Sequence, residues 1–120
     1  MGTKSYKDLT VWQKSIDVVI MIYELVKELP EEEKFVLSSQ MRRAAVSIPS
    51  NIAEGQQRKS SKEFVNFLSI ARGSKAELQT QLYICYKLQL LSKKQIEPAM
   101  SLLSEIGKML SKLMETATDY

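Results

Sequence analysis

The stretch RRAAVSIPSNIAEGQQRKSSKEF, residues 42–64, decides how this chain folds, because it joins a helical pattern to a turn and to the start of another helix. Ala45, Ile48 and Ile52 recur at the spacing of three to four residues that is typical of one buried helix face. Pro49 lies beside this face, where a proline removes one backbone hydrogen bond and clashes with the carbonyl four residues earlier. The apolar spacing keeps its phase across Pro49, so we expect a kinked helix rather than a broken one.

The second half of the stretch carries signals for a helix end and a new helix start. Gly55 is placed to cap the C-terminal end of the helix that contains Pro49. Ser60 and Glu63 have the spacing of a capping box, which predicts that the next helix begins near residue 61. A second box, formed by Ser92 and Gln95, predicts a further helix start near residue 93.

The same spacing continues in both directions and predicts four helices, at about residues 8–28, 34–55, 61–90 and 93–116. Short connections between four amphipathic helices predict an all-α fold, an antiparallel up-down-up-down four-helix bundle in a single domain over residues 1–120. The residues expected to face the core are Leu9, Trp12, Ile16, Val19, Tyr23 and Val26 in the first helix; Leu37, Met41, Ala44, Ala45, Ile48 and Ile52 in the second; Phe64, Phe67, Leu68, Ala71, Leu78, Leu82, Cys85 and Tyr86 in the third; and Ile96, Met100, Leu103, Ile106, Leu110 and Leu113 in the fourth.

Composition excludes several classes of function. The 120 residues include no histidine, which removes histidine-based triads, the commonest zinc ligand and the Glu-x-x-His di-iron sites of helix bundles. The single cysteine, Cys85, cannot form an internal disulfide; we expect a small core residue and a cytoplasmic protein. The longest apolar run, residues 18–23, is too short to span a bilayer. We therefore expect no catalytic residue, no cofactor, no metal and no membrane partner.

The polar cluster Asn51, Glu54 and Arg58 is interpreted as structural. Glu54 precedes Arg58 by one helical turn, which suits an ion pair. We expect hydrogen bonds from the cluster to the first turn of the third helix or to a neighbouring chain. Glu54 and Glu77 could instead form a catalytic carboxylate pair, but ion pairing with Arg58 or Arg72 is the simpler interpretation.

Basic residues are concentrated in the middle of the chain. Residues 42–75 contain seven basic and two acidic side chains, whereas the remainder contains ten basic and twelve acidic ones. The candidate nucleic-acid-binding residues are Arg42, Arg43, Arg58, Lys59 and Lys62. Arg43 is the best of these candidates, because it points almost directly away from its own core. Few aromatic residues could stack on bases; the candidates are Tyr6, Tyr83 and Tyr120.

Apolar residues exceed what one bundle can bury. Residues 18–22 are apolar on every side of the first helix, and Val65, Ile70 and Ile84 lie outside the inner face of the third. Such a surplus is typical of an interface and predicts a homo-oligomer.

Residues 40–78 resemble the signature of the bacterial four-helix bundle proteins encoded in 23S ribosomal RNA intervening sequences, the S23 family. The resemblance rests on NIAEG at residues 51–55, on Arg58, and on ARGS at residues 71–74 followed by Glu77 and Leu78. It marks as structural-motif residues Pro49, Asn51, Glu54, Gly55, Arg72, Gly73, Ser74 and Glu77.

The resemblance implies a homopentamer with no established enzymatic activity. Proteins of this family are also distantly similar to the accessory protein of diversity-generating retroelements, a basic pentamer that binds nucleic acid and a reverse transcriptase. Two hypotheses follow: an oligomeric scaffold that binds RNA or DNA, or an oligomeric protein-binding adaptor with a partner such as a reverse transcriptase and no nucleic-acid ligand.

Overall fold

The computed structural model describes residues 5–118 and consists of four long helices. They are α1 (Thr10–Leu25), α2 (Leu37–Gln56), α3 (Ser61–Lys87) and α4 (Lys93–Thr118), with short 3₁₀ turns at Tyr6–Asp8, Val26–Glu28 and Glu31–Glu33. Each helix packs on the next, and α1 also packs on α4, which closes a bundle of 46 × 23 × 19 Å. The predicted all-α, antiparallel up-down-up-down four-helix bundle is confirmed. Within residues 5–118, no helix combines the length and the apolar character needed to cross a membrane.

Helix ends differ from the predicted ones by up to three residues. α1 ends at Leu25 and α2 begins only at Leu37, because the segments at either side of Pro30 form 3₁₀ turns. α3 ends at Lys87 and not at residue 90. There Gln89 adopts a left-handed φ of 63°. The Leu90 N–H donates to the Cys85 carbonyl at 2.9 Å and the Gln89 N–H to the Tyr86 carbonyl at 3.0 Å, the hydrogen bonds of a Schellman ending.

The predicted capping role of Gly55 is wrong. Gly55 lies inside α2, its φ is not positive, and the helix continues to Gln56. It is buried where α2 crosses α3, and a Cβ atom added there would lie 2.6 Å from the Cβ of Phe67 and 3.2 Å from Cδ1 of Phe64. Gly55 therefore permits an approach of the two helices that a larger residue would prevent.

The core confirms the inner face predicted for α2 and corrects the one predicted for α1. All six α2 residues are buried. In α1 the buried residues are Val11, Ser15, Val18 and Ile22, whereas Tyr23 is exposed. The error arises because the run at residues 18–22 is apolar on every side and therefore defines no face.

The other two helices follow the predicted faces with small departures. In α3, Phe67 is only half-buried and Tyr86 is exposed, while the polar residues Ser74 and Gln81 are buried instead. In α4, Met100 and Leu113 pack at the edge of the core rather than inside it. Cys85 is buried as expected, with its Sγ 3.7 Å from Sδ of Met41. Burial raises the pKa of the Cys85 thiol, and the carboxylate of Glu33 adds to this effect, so the thiol stays protonated and unreactive.

Both helix-internal prolines are tolerated. α2 continues through Pro49 to Gln56, so the helix is not broken there, and the kink expected at Pro49 stays a prediction; α4 continues through Pro98. The start of α4 has the predicted capping box: Gln95 N–H donates to Ser92 Oγ at 3.1 Å, and Ser92 N–H donates to Gln95 Oε1 at 2.8 Å. At the start of α3, Glu63 N–H donates to Ser60 Oγ at 3.1 Å.

The packing at Gly55 generates a test of stability. A Gly55→Ala substitution gains helix propensity but forces α2 away from α3, and we expect a net loss of about 1–2 kcal/mol in the free energy of unfolding. Gly73→Ala is the matched control, because a Cβ at Gly73 would contact nothing within 4 Å. It should raise the free energy of unfolding by up to about 1 kcal/mol. Urea denaturation measures both, and equal effects of the two substitutions would contradict the close approach at Gly55.

Candidate nucleic-acid interface

The middle of the α2–α3 contact is polar. Ser47 Oγ and Ser74 Oγ are hydrogen-bonded at 2.8 Å. The Asn51 side-chain amide donates to the Ser47 carbonyl at 2.8 Å and to Ser47 Oγ at 2.9 Å. Asn51 thus donates back to Ser47 of its own helix, and it reaches α3 only through the Ser47 hydroxyl. The predicted hydrogen bond from Asn51 to the first turn of α3 is wrong, whereas the alternative, a hydrogen bond to a neighbouring chain, stays a prediction.

The end of α2 carries the expected ion pair. Arg58 donates from NH2 to Oε2 of Glu54 at 2.7 Å, and the same guanidinium lies 4.8 Å from the centre of the Phe67 ring. The ion pair is solvent-exposed and stabilises the helix by only about 0.2–0.5 kcal/mol. The Arg58 guanidinium lies over the Phe67 ring and so links the end of α2 to α3. Arg58 therefore already has a structural role.

Glu77 does not form the contacts predicted for it. The Ser47–Ser74 contact sets the antiparallel alignment, and in that alignment Glu54 and Glu77 lie ten residues, or about 15 Å, apart along the bundle. They are therefore not a carboxylate pair. Glu77 instead accepts a long hydrogen bond of 3.4 Å from the Gln81 amide. Arg72, its other predicted partner, donates to Ser111 Oγ of α4 at 3.2 Å.

The basic residues of the 42–75 segment do not form one surface. Arg42 lies 5.9 Å from the centre of the Tyr23 ring on the α1–α2 side, and exposed Arg43 lies next to it. Arg58 is fifteen residues beyond Arg43, about 22 Å farther along the bundle, close in sequence to exposed Lys59 and Lys62. The five predicted nucleic-acid-binding residues thus lie in two separate groups.

A more concentrated basic site lies between α3 and α4. It is an open groove of about 570 Å³ whose lining residues are Arg72, Lys75, Gln79, Ser104, Gly107, Lys108, Ser111, Lys112 and Glu115. Four of these side chains are cationic. In residues 5–118, the ion pairs join other cations to their carboxylates and involve none of these four. We call this site the basic groove.

Gly107 shapes the bottom of the basic groove. It is buried in the middle of α4, and a Cβ atom added there would lie 2.9 Å from Cε and 3.0 Å from Nζ of Lys75. The absence of a side chain thus lets the lysine from α3 lie across α4. Two hydrogen bonds also span the groove, from Arg72 to Ser111 and, at 3.3 Å, from Gln79 to Ser104.

Sequence reasoning missed this groove because half of its cations lie outside the basic segment. Lys108 and Lys112 belong to the part of the chain with an acidic excess. The available signal was the spacing Ser104, Lys108, Ser111, which places hydroxyl and ammonium groups on one face of α4. Nothing in that spacing indicates that Arg72 and Lys75 lie opposite.

Comparisons with known proteins agree on one family. The sequence model of the family described as 23S rRNA-intervening sequence protein matches residues 7–112. The crystal structure of a protein of unknown function from the S23 ribosomal protein family of Bacteroides thetaiotaomicron VPI-5482 is similar, with 31% identity and a TM-score of 0.81. That alignment covers 88% of this chain and 98% of the other. No curated protein matches the chain.

The Asn51 contacts generate a second test of stability. Asn51→Ala removes two hydrogen bonds and leaves a half-buried Ser47 hydroxyl with one partner fewer, so we expect a loss of about 1 kcal/mol in the free energy of unfolding. Gln57→Ala is the control, because Gln57 is exposed at the end of the same helix, and its effect should stay within about 0.5 kcal/mol. Thermal and urea unfolding measure both. An Asn51→Ala variant as stable as the Gln57→Ala variant would show that the cluster is not structural.

Proposed function

Because the chain belongs to the 23S rRNA-intervening sequence protein family, we propose that it is a non-enzymatic, oligomeric bundle that binds RNA or DNA in the cytoplasm. The observation that carries the proposal is the basic groove, where four cations lie together and form no ion pair with a carboxylate of residues 5–118. Clustered like charges repel one another, and phosphates relieve that repulsion while their own counterions are released. The sequence has no histidine to act as a general base, which supports a binding role over catalysis.

Oligomerisation would raise the total positive charge of the assembly, which supports the binding of a polyanion. The formal charge of +3 per chain is small, but five copies would carry about +15 and present each basic site five times. Homopentameric assembly is what the resemblance to the S23 family implies. Multiple weak sites on one assembly bind a long polyanion far more tightly than a single site does.

An apolar patch on the α1–α2 face supports self-association. Ile20 is 60% exposed, Tyr23 follows it by one turn, and Tyr23 and Val46 line a common cavity with Arg43. Exposed apolar residues that adjoin one another are typical of protein interfaces. We propose that copies of the chain meet at this patch, defined by Ile20, Tyr23 and Val46.

Assembly is tested by placing a charge in the patch. Ile20→Glu should shift the light-scattering mass towards that of the 13.7 kDa chain, because a carboxylate would be buried between copies. Leu88→Glu is the matched control, since Leu88 is 59% exposed but lies at the end of α3, away from the patch. It should leave the mass unchanged. A wild-type mass of one chain at micromolar concentration would contradict the oligomer.

Binding is tested with labelled mixed-sequence RNA and DNA in anisotropy titrations. We expect sequence-tolerant binding whose log K falls with log salt by roughly 0.7–0.9 per phosphate contact. The Arg43→Ala variant, measured by anisotropy and by light scattering, distinguishes a phosphate-binding role of Arg43 from a role in the interface between copies. If Arg43 binds phosphate, the slope becomes shallower and the mass is unchanged; because Arg43 adjoins the patch, we expect the mass to fall instead. No binding at about 50 mM salt, where such contacts are strong, would contradict the nucleic-acid function.

One observation favours the alternative, an adaptor that binds only proteins. Phe35 is 85% exposed and Val36 is exposed beside it, at the turn that leads into α2. The ammonium of Lys34 lies 5.6 Å from the centre of the Phe35 ring. An aromatic residue presented on a turn is a common anchor for a protein partner. A chain that assembles but fails to bind RNA and DNA would support this alternative.

A further inference from the structure

We propose that the furrow between α3 and α4 holds a single nucleic-acid strand, with phosphates in the basic groove and unpaired bases on Tyr83 and Tyr86. This inference rests on the proposed function and makes it specific. It names the face, the type of strand and the residues that bind it. Its experiment is chosen so that the inference can fail while the proposed function stands.

The basic groove continues into a second cavity. That cavity, of about 700 Å³, shares Ser104 and Lys108 with the basic groove, so the two form one furrow along the seam of α3 and α4. The furrow extends from Arg72 to Tyr86, fourteen residues of α3, or about 21 Å. This length suits several nucleotides of an extended strand.

The far half of the furrow is aromatic. Tyr83 is 54% exposed and Tyr86 is 39% exposed. Their ring centres lie 6.1 Å apart, and the ring planes are inclined at 49°. Exposed aromatic rings beside a basic track are the two features that sequence-tolerant single-strand-binding proteins combine, because every base has a face that can stack. Of the other stacking candidates from the sequence, Tyr6 packs against Trp12 at 5.3 Å, and Tyr120 lies outside the described residues.

The excess of positive charge is concentrated in one half of the furrow, which suits a strand whose phosphates are charged and whose base faces are not. The basic groove has four cations and one carboxylate, Glu115. The aromatic half has two cations, Lys93 and the shared Lys108, and two carboxylates, of which Glu105 is paired with Lys14 of α1 at 2.9 Å. Phosphates are therefore favoured in the basic half, and the uncharged faces of bases suit the aromatic half.

The aromatic half also selects a single strand over a duplex. Bases in a duplex are stacked on one another and paired, so their faces cannot reach the tyrosine rings. The phosphates of a duplex could still contact the basic groove, but binding would lack the stacking contribution. Single strands should therefore bind more tightly than duplexes of the same sequence.

The test uses the full chain and labelled strands of about eight nucleotides, within the site sizes of single-strand-binding domains. Anisotropy is measured on the strand and on its duplex across a salt series. The Tyr83→Leu/Tyr86→Leu variant should weaken strand binding by about tenfold or more, leave duplex binding almost unchanged and keep the salt slope. Helical circular dichroism of each variant confirms that the bundle is folded.

A charge variant tests the other half. Lys108→Gln/Lys112→Gln should weaken binding and make the salt slope shallower by about 1.4, at roughly 0.7 per phosphate contact. The matched control is Lys27→Gln/Lys34→Gln, which removes the same charge from exposed residues at the α1–α2 connection, outside the furrow and outside the five binding candidates. It should leave both the affinity and the slope nearly unchanged.

The outcomes separate this inference from the function it rests on. If nucleic acid binds but the control variant loses as much affinity as the groove variant, the furrow is not the site and the proposed function stands. If the tyrosine variant binds strands as the wild type does, or if duplexes bind as tightly as strands, the stacking role is overturned. If the wild type binds neither form, both proposals fail.

Discussion

The close approach of α2 and α3 is the constraint on which the rest of the bundle depends. Gly55 leaves no space for a Cβ atom against Phe67, and the Ser47–Ser74 hydrogen bond fixes how the two helices are aligned. Small residues at the crossing let two backbones come together, so each side chain on the seam has a defined opposite neighbour. The alignment places Arg72 and Lys75 on the far side of α3, where they meet α4. The basic groove is therefore a consequence of packing at the opposite seam.

The sequence predicts the fold well where a pattern has a single interpretation. The inner face of α2 and the Ser92–Gln95 box are such patterns, and both are found in the structure. The inner face of α1 was misplaced because residues 18–22 are apolar on all sides, and only the neighbouring helices decide which side is buried. The end of α3 was predicted three residues too late because the left-handed position after the helix, which is usually occupied by glycine, is occupied by Gln89.

The candidate site was less predictable, because charge along the chain is a poor guide to charge in space. The count of charged residues along the sequence identified the basic segment that contains Arg43 and Arg58. These two residues lie about 22 Å apart along the bundle, because each helical residue adds about 1.5 Å. Arg72 and Ser111 are 39 residues apart in sequence and are hydrogen-bonded across the groove. Local patterns such as the Glu54–Arg58 pair lie within one turn and are visible in a sequence. A site shared by two antiparallel helices depends on their register, which no single segment encodes.

The arrangement of the four helices reconciles the two parts of the proposed function. Each helix packs on its two neighbours around the bundle, so the α1–α2 face and the α3–α4 face lie on opposite sides. The apolar patch with Ile20 and Tyr23 occupies the first face, and the furrow with Lys108 and Tyr83 occupies the second. In the proposed oligomer, association through the patch would leave every furrow accessible. Each added copy would then contribute another furrow to the same strand, and because the later contacts would be intramolecular, affinity would rise without any new type of contact.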